Sequence, residues 1–385
     1  MAMTHRGQIW ASTMRGHASV SAVRAHDDSF AAISSSGPVM RQRREQIEVA
    51  TLSPGAALSH GGGDRAVAEP PDEFRTCFEK DRDRIIHSTA YRRLAGKTQV
   101  VVYPRDHQRT RLTHALEVAQ VATAIARGVG ANPVLTDAIA LGHDCGHGPG
   151  GHASEDAFDP YILGGYRHGP WGADVVLAGL NLCRETLDGI RNHSWSCPAP
   201  STVEGEIVSW ADRIAYCAHD LEDALHAGIV QVEQLPPAVV DTCGERRSQQ
   251  LSVFINAVIQ STVAQGVVSM DPTIAGALAD LRQFNYDHIY MRPESLAQSD
   301  AVVDVLRALV DHLIAHPQAI PGFDIDGSGG TSPDHATVEG PLADPITMAA
   351  VTYVAGMTDR FAFDLASELL GYDPRLIPVG IGRGA

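Results

Sequence analysis

The chain has 385 residues, 44% of them apolar, and a formal net charge of −16. That is enough apolar material for one large or two ordinary domains, and so acidic a balance argues against non-specific attraction to nucleic acid or anionic lipid. No apolar run approaches the roughly 18 residues of a membrane span, and the N-terminus lacks a secretory signal's hydrophobic stretch, so a cytoplasmic location without a membrane partner is expected. Cys77, Cys145, Cys183, Cys197, Cys217 and Cys243 form no CxxC pair. They read as buried apolar fillers in a reducing compartment, not as a zinc ribbon or disulfide framework.

Residues 1–40 show no sustained periodicity and include Ser34 to Gly37, which predicts a loosely ordered extension, or a start site placed too early. Gly61 to Gly63 and Glu69-Pro70-Pro71-Asp72 mark a surface loop before the ordered body. Arg82, Arg84, Arg92, Arg93, Lys97, Arg105, Arg109 and Arg111 fall within thirty residues and offer local positive charge for a polyphosphate. Leu112, Ala115, Leu116, Ala119, Ala122 and Ile125 recur at steps of three and four, predicting an amphipathic helix that carries His114 and ends at Gly128 and Gly130. A second helix, capped by Thr136, runs to His143-Asp144, where Gly146, Gly148, Gly150 and Gly151 stop it. A third starts at Ser201, with Glu204 completing a capping box, and continues to about Leu225. Within it Asp212, Tyr216 and Asp220 stand at i, i+4 and i+8, on one face. Further helices follow beyond 228, with a loop at Pro236-Pro237 and a flexible insertion at 321–345. The fold expected is all-α: a core over 41–228 and helices over 229–385 that complete the same globule.

His114, His143, Asp144 and Asp212 offer two imidazoles and two carboxylates. Such a mixed nitrogen and oxygen set suits a hydrolytic divalent metal better than a structural zinc. A lone histidine among 18 would more often be an ordinary surface or core residue. Here His143, Asp144, His147, His152 and Glu155 lie within thirteen residues threaded on glycines, which a solvated charged face would not need. Neutral imidazoles and carboxylates leave open positions on a metal, which can acidify water and polarise a phosphoryl group.

The order of His114, His143-Asp144 and Asp212 resembles the HD-domain metal-dependent phosphohydrolases. More specific are Arg-Asp-Arg-Ile-Ile-His-Ser at 82–88, Tyr-Arg-Arg-Leu at 91–94, Lys-Thr-Gln at 97–99, Arg-Thr-Arg-Leu-Thr-His at 109–114 and Glu-Val-Ala-Gln at 117–120. With Ala-Ile-Ala-Leu-Gly-His-Asp at 138–144, Ala-Asp-Arg-Ile-Ala-Tyr at 211–216 and Ala-Gly-Met-Thr-Asp-Arg at 355–360, they resemble the deoxyguanosine triphosphate triphosphohydrolase family over roughly residues 40–372. The resemblance implies an HD-domain helical bundle with additional C-terminal helices, a homo-oligomer, and hydrolysis of dNTPs to deoxynucleoside and inorganic triphosphate. It implies His114, His143, Asp144 and Asp212 as ligands of one divalent ion per subunit: Mn²⁺, Mg²⁺ or another such as Fe²⁺, Co²⁺, Ni²⁺ or Zn²⁺.

By the same resemblance His152 and Glu155 are the catalytic pair, the carboxylate orienting the imidazole for proton transfer. His168 would contact the α-phosphate or its leaving group, and His147 either a phosphate or a metal ligand. Gln99 and Asp220 would bond the sugar 3′-hydroxyl, Tyr216 would pack on deoxyribose or simply in the core, and Arg111 and Arg213 would meet the triphosphate, with Arg92 a further contact. A dNTP activator at a second site and single-stranded DNA are further partner expectations. The rival readings are another HD nucleotide phosphohydrolase and a catalytically silent nucleotide- or ssDNA-binding regulator.

The chain departs from the family pattern beside the ligands. Cys145 stands where the family has Leu, Gly150 where it has Phe, and Gly169-Pro170-Trp171-Gly172 follows His168. Losing the aromatic removes a packing wedge, and Trp171 is expected to fill the space.

Overall fold

A computed structural model describes residues 4–100, 109–323 and 343–373. The chain divides into two units, Met1–Val39 and Met40–Ala385. In the first, helix α1 (His5–Thr13) and an antiparallel hairpin of β1 (His17–Ala18) with β2 (Val23–Arg24) stand where no regular element is expected. None of that unit's described residues is buried, so these are local structures without a core.

The second unit is helical throughout its described residues. Its elements are α2 (Arg41–Thr51), α3 (Cys77–His87), α4 (Thr89–Arg93), α5 (Arg111–Val129), α6 (Pro133–Gly142), α7 (Ala153–Phe158), α8 (His168–Trp171), α9 (Arg184–Asn192) and α10 (Val203–His226). There follow α11 (Pro237–Cys243), α12 (Arg247–Gln265), α13 (Pro272–Asn285), α14 (Pro293–Ala315), α15 (Pro345–Ala355) and α16 (Asp359–Leu370). The fold is all-α, as expected. The insertion expected at 321–345 falls mostly on residues 324–342, outside the described residues, as does Arg105.

Helix boundaries differ from the sequence reading where a cap lies further upstream or a long-range bond intervenes. α5 begins at Thr110, whose hydroxyl accepts from Thr113 N, and ends on Gly130 in the left-handed region (φ 79°), while Gly128 lies inside the helix. Its buried stripe runs through His114, Val118, Val121, Ala122 and Ile125, leaving Leu116 52% exposed. α6 is capped by Asn132, not Thr136: the Asn132 side chain accepts from Val134 N at 3.0 Å, and Pro133 fills the first turn. α10 is capped by Thr202, which accepts from Gly205 N at 3.1 Å. The expected Ser201–Glu204 box does not form, because the buried Glu204 carboxylate accepts from Asn132 N at 2.7 Å and Ala57 N at 3.1 Å. The loop over residues 61–72 is tied down as well, since the Arg65 side chain is wholly buried 2.5 Å from Asp81.

Two apolar clusters form the core. The larger unites α3, α5, α6, α9 and α10 with α12 and α13; the smaller unites α7, α8, α14, α15 and α16. All six cysteines are free, and five are buried, all five in the larger cluster. Burial pushes the Cys145 thiol up to about 12, leaving it an apolar filler.

Candidate active site

α5, α6 and α10 pack against one another and bring residues distant in sequence to one point. His114 Nε2 lies 3.0 Å from Asp212 Oδ1. His143 Nε2 lies 3.7 Å from that oxygen and 3.5 Å from Asp144 Oδ1. His143 sits at the C-terminal cap of α6, where its Nδ1–H donates to Ala140 O at 2.6 Å. That bond leaves an unprotonated Nε2, which is buried without a hydrogen-bond partner. An orphaned imidazole nitrogen facing two carboxylates suits a cation, and His114, His143 and Asp212 form one group of donors within 4.8 Å of one another. These His and Asp groups fit a divalent metal.

The carboxylates are already in the ionised form that a ligand needs. Burial alone would raise Asp144, but His143, Arg111 and His147 outweigh it and hold the group well below the usual range. Asp212 is likewise held down by its bond from His114 and by nearby His143 against the effect of burial. Arg111, expected at the triphosphate, instead donates from Nη1 to Asp144 Oδ2 at 2.8 Å with both side chains buried. Its guanidinium borders the cavity while holding the Asp144 carboxylate. Removing one partner of such a buried pair typically costs about 3–5 kcal/mol.

The glycine-threaded loop brings the other histidines over this point. His147 Nε2 is 3.2 Å from Asp144 Oδ1, and its ring stacks on His168 with centroids 3.8 Å apart. Glu155 does not orient His152, as the spacing suggested. His152 is the N-terminal cap residue of α7, and Glu155 in the first turn reaches α8 instead, accepting from His168 Nδ1 at 2.5 Å and His168 N at 2.9 Å. Gly146 permits the approach, since a Cβ there would lie 2.0 Å from His168 O. At Gly150, φ is +73° and a Cβ would lie 2.5 Å from Val302 Cγ1. Val302, not Trp171, therefore occupies the space beside Gly150; Trp171 packs on Tyr166, ring centroids 4.8 Å apart.

A polar clamp fixes this loop from the far end of the chain. The Asp359 carboxylate accepts from Gly150 N at 2.9 Å, Thr98 N at 2.9 Å and Thr98 Oγ1 at 2.6 Å. Lys97 is buried with Nζ donating to His147 O and to Ala355 O. Burial brings its ammonium down to about 8.

A cavity of about 450 Å³ opens over the cluster. Asp212, Tyr216 and Asp220 all line it from one face of α10, and Gln99, Arg111, His114, Asp144, His147, His152, His168 and Arg213 line it too. Gln99 Oε1 is buried without a hydrogen-bond partner among the described residues. Asp220 accepts from Tyr290 OH at 2.6 Å, yet burial raises its carboxyl to about 6. The Arg213 guanidinium carbon lies 3.3 Å above the Trp195 ring.

Arg92 is exposed and does not line the cavity. Of the basic segment's described residues, Arg111 reaches the cavity, whereas Arg82 pairs with Asp137, Arg84 with Glu69 at 2.7 Å, and Arg109 with Glu117, Glu222 and Asp223. Sequence reasoning missed His193, Trp195, Arg282, Tyr286 and Tyr290, all on the cavity wall. The two tyrosines are placed there by a π-helical turn, Tyr286–Tyr290, after α13.

Residues 111–217, which carry nearly all the clustered histidines and carboxylates, match the family model described as HD domain. The chain is also similar over most of its length to proteins named deoxyguanosinetriphosphate triphosphohydrolase-like. One from Caldanaerobacter subterraneus subsp. tengcongensis is 37% identical over 330 residues, spanning 84% of this chain and 93% of the relative. Another, from Desulfatibacillum aliphaticivorans, is 36% identical over 84% of this chain and 95% of its own length. A third, from Clostridium perfringens, is 34% identical over 88% and 99%.

Proposed function

The chain belongs to the deoxyguanosinetriphosphate triphosphohydrolase-like family and is a hydrolase of the HD phosphohydrolase type, and we propose that it cleaves dNTPs, dGTP among them, to deoxynucleoside and inorganic triphosphate. The carrying observation is that one cavity joins an N/O donor cluster to Tyr216 and Asp220, which continue down the same helix face from Asp212. A donor set for a metal alone would suit many hydrolases. A tyrosine ring and a carboxyl in the same cavity, one and two helical turns further along α10 from Asp212, favour a nucleotide.

His114, His143, Asp144 and Asp212 would hold one divalent ion, which when bound lowers the pKa of water and polarises a phosphoryl oxygen. His152, on the cavity wall, moves a proton to or from the reacting oxygens. Glu155 holds His168 against the same wall, and His147 supports Asp144. Arg111 contributes chiefly by fixing Asp144, so the triphosphate falls to Arg213 and Arg282, whose guanidinium forks suit paired phosphate oxygens. Gln99 and Asp220 accept or donate at the sugar 3′-hydroxyl, and Tyr216 lies along the deoxyribose where a 2′-hydroxyl would crowd it.

The test is product analysis of purified chain with each dNTP and Mn²⁺ or Mg²⁺, resolved by ion-exchange chromatography. Deoxynucleoside and triphosphate in equal amounts are expected. Release of monophosphate would point to another HD nucleotide phosphohydrolase, and no turnover of any dNTP, alone or in mixtures, to a silent binding protein; either result overturns the proposal.

A further inference from the structure

His193 belongs to no motif that resembles the family's words, yet it is 1% exposed and faces the same cluster. It ends α9 as His143 ends α6. Each is the cap residue after its helix, and each donates Nδ1–H to the carbonyl three residues back: His143 to Ala140 at 2.6 Å, His193 to Ile190 at 2.8 Å. In both rings that bond fixes the tautomer and leaves an Nε2 lone pair, the arrangement found behind metal-bound histidines. The two rings meet edge to face with centroids 5.0 Å apart. His143, Asp144 and His193 offer donor atoms all within 4.8 Å of one another, a second group that shares His143 with the group of His114 and Asp212.

We propose that His193 is a fifth protein donor to the metal centre, on the Asp144 side of His143. Arg111 occupies Asp144 Oδ2, and Oδ1 lies 3.2 Å from His147 Nε2 and 3.5 Å from His143 Nε2, so this carboxylate and the imidazoles of His143 and His193 bring donor atoms together in a common space. The other neighbour of His193 Nε2 is His168 Nε2 at 3.0 Å, which supplies the rival role of a hydrogen-bond partner to His168 alone. This inference rests on reading the His and Asp cluster as a metal centre.

The test counts ligands without relying on turnover. Nitrogen ENDOR on the Mn²⁺-loaded wild-type chain is expected to detect three coordinated imidazoles, from His114, His143 and His193; two would overturn the proposal. In parallel, His193→Gln and His193→Ala, checked for folding by circular dichroism, are titrated with Co²⁺ and Mn²⁺. Their affinities are expected to fall by at least about 10-fold, the lower bound for groups that merely support a ligand, with a changed Co²⁺ visible spectrum. Wild-type affinity and an unaltered spectrum in both variants would confine His193 to His168 and overturn the proposal alone. A wild-type chain that takes up neither ion would overturn the metal centre itself, and this proposal with it.

Discussion

The two apolar clusters support different halves of the site. The larger one carries His114, His143, Asp212 and His193 on or at the ends of α5, α6, α10 and α9, whose buried faces are packed helix on helix. The smaller one carries His152 and Glu155 on α7, which rests on α14, while His168 on α8 stands against α9 of the larger one. On the proposed roles, the cation donors stand on one core and His152, the proton carrier, on the other. Holding a metal and using it would then be separately built, and substitutions can test whether they come apart.

The largest expected effect comes from Asp212→Ala, on the first core. It removes a carboxylate whose oxygen lies between His114 and His143. Loss of bound metal by elemental analysis and loss of dNTP turnover together are expected; a variant that keeps both would break the division at its root. Next is His152→Ala, on the second core. Metal content should stay at the wild-type level while kcat falls about 10²- to 10⁴-fold, the range general acid–base groups supply. A parallel loss of metal would show that the cores are not independent.

The smallest effect probes the join between them. Burial lowers Lys97 to about 8 in the folded chain, while an unfolded lysine titrates near 10.4. Between those values the unfolded chain binds more protons, so this residue makes stability rise with pH from about 8 to about 10. Urea melts across that window should show the rise in the wild-type chain and its loss in Lys97→Met. An unchanged slope would mean that the ammonium does not titrate in its clamp.

How much of this could be read from the residues varies with how local each cause is. His114, His143-Asp144 and Asp212 announce themselves because chemistry and helical spacing coincide, and Tyr216 and Asp220 follow from the period of one helix. His193 carried no such signal. It is a single histidine after a short amphipathic helix, and only the packing of α9 beside α6 makes it a neighbour of His143. Tyr286, Tyr290 and Arg282 depend on α13 crossing α10 and on a π turn that no spacing rule foretells. The basic segment was legible only in part for a different reason: charge density along a chain says nothing of where each guanidinium finds its carboxylate, and Arg109 found three while Arg111 reached the cavity. Glu204 misled likewise, because a local cap pattern yielded to two backbone N–H groups supplied from elsewhere.

The contact of Asp359 with Gly150 and Thr98 also governs when this molecule becomes complete. The donors end at Asp212, whereas the core that carries them draws on residues as far as Ile289. The histidine loop, by contrast, is pinned by an acid made well over a hundred residues later. A chain that stops short of that acid lacks the carboxylate to which Gly150 N and Thr98 N donate. This loop geometry is therefore available only to a chain made as far as α16.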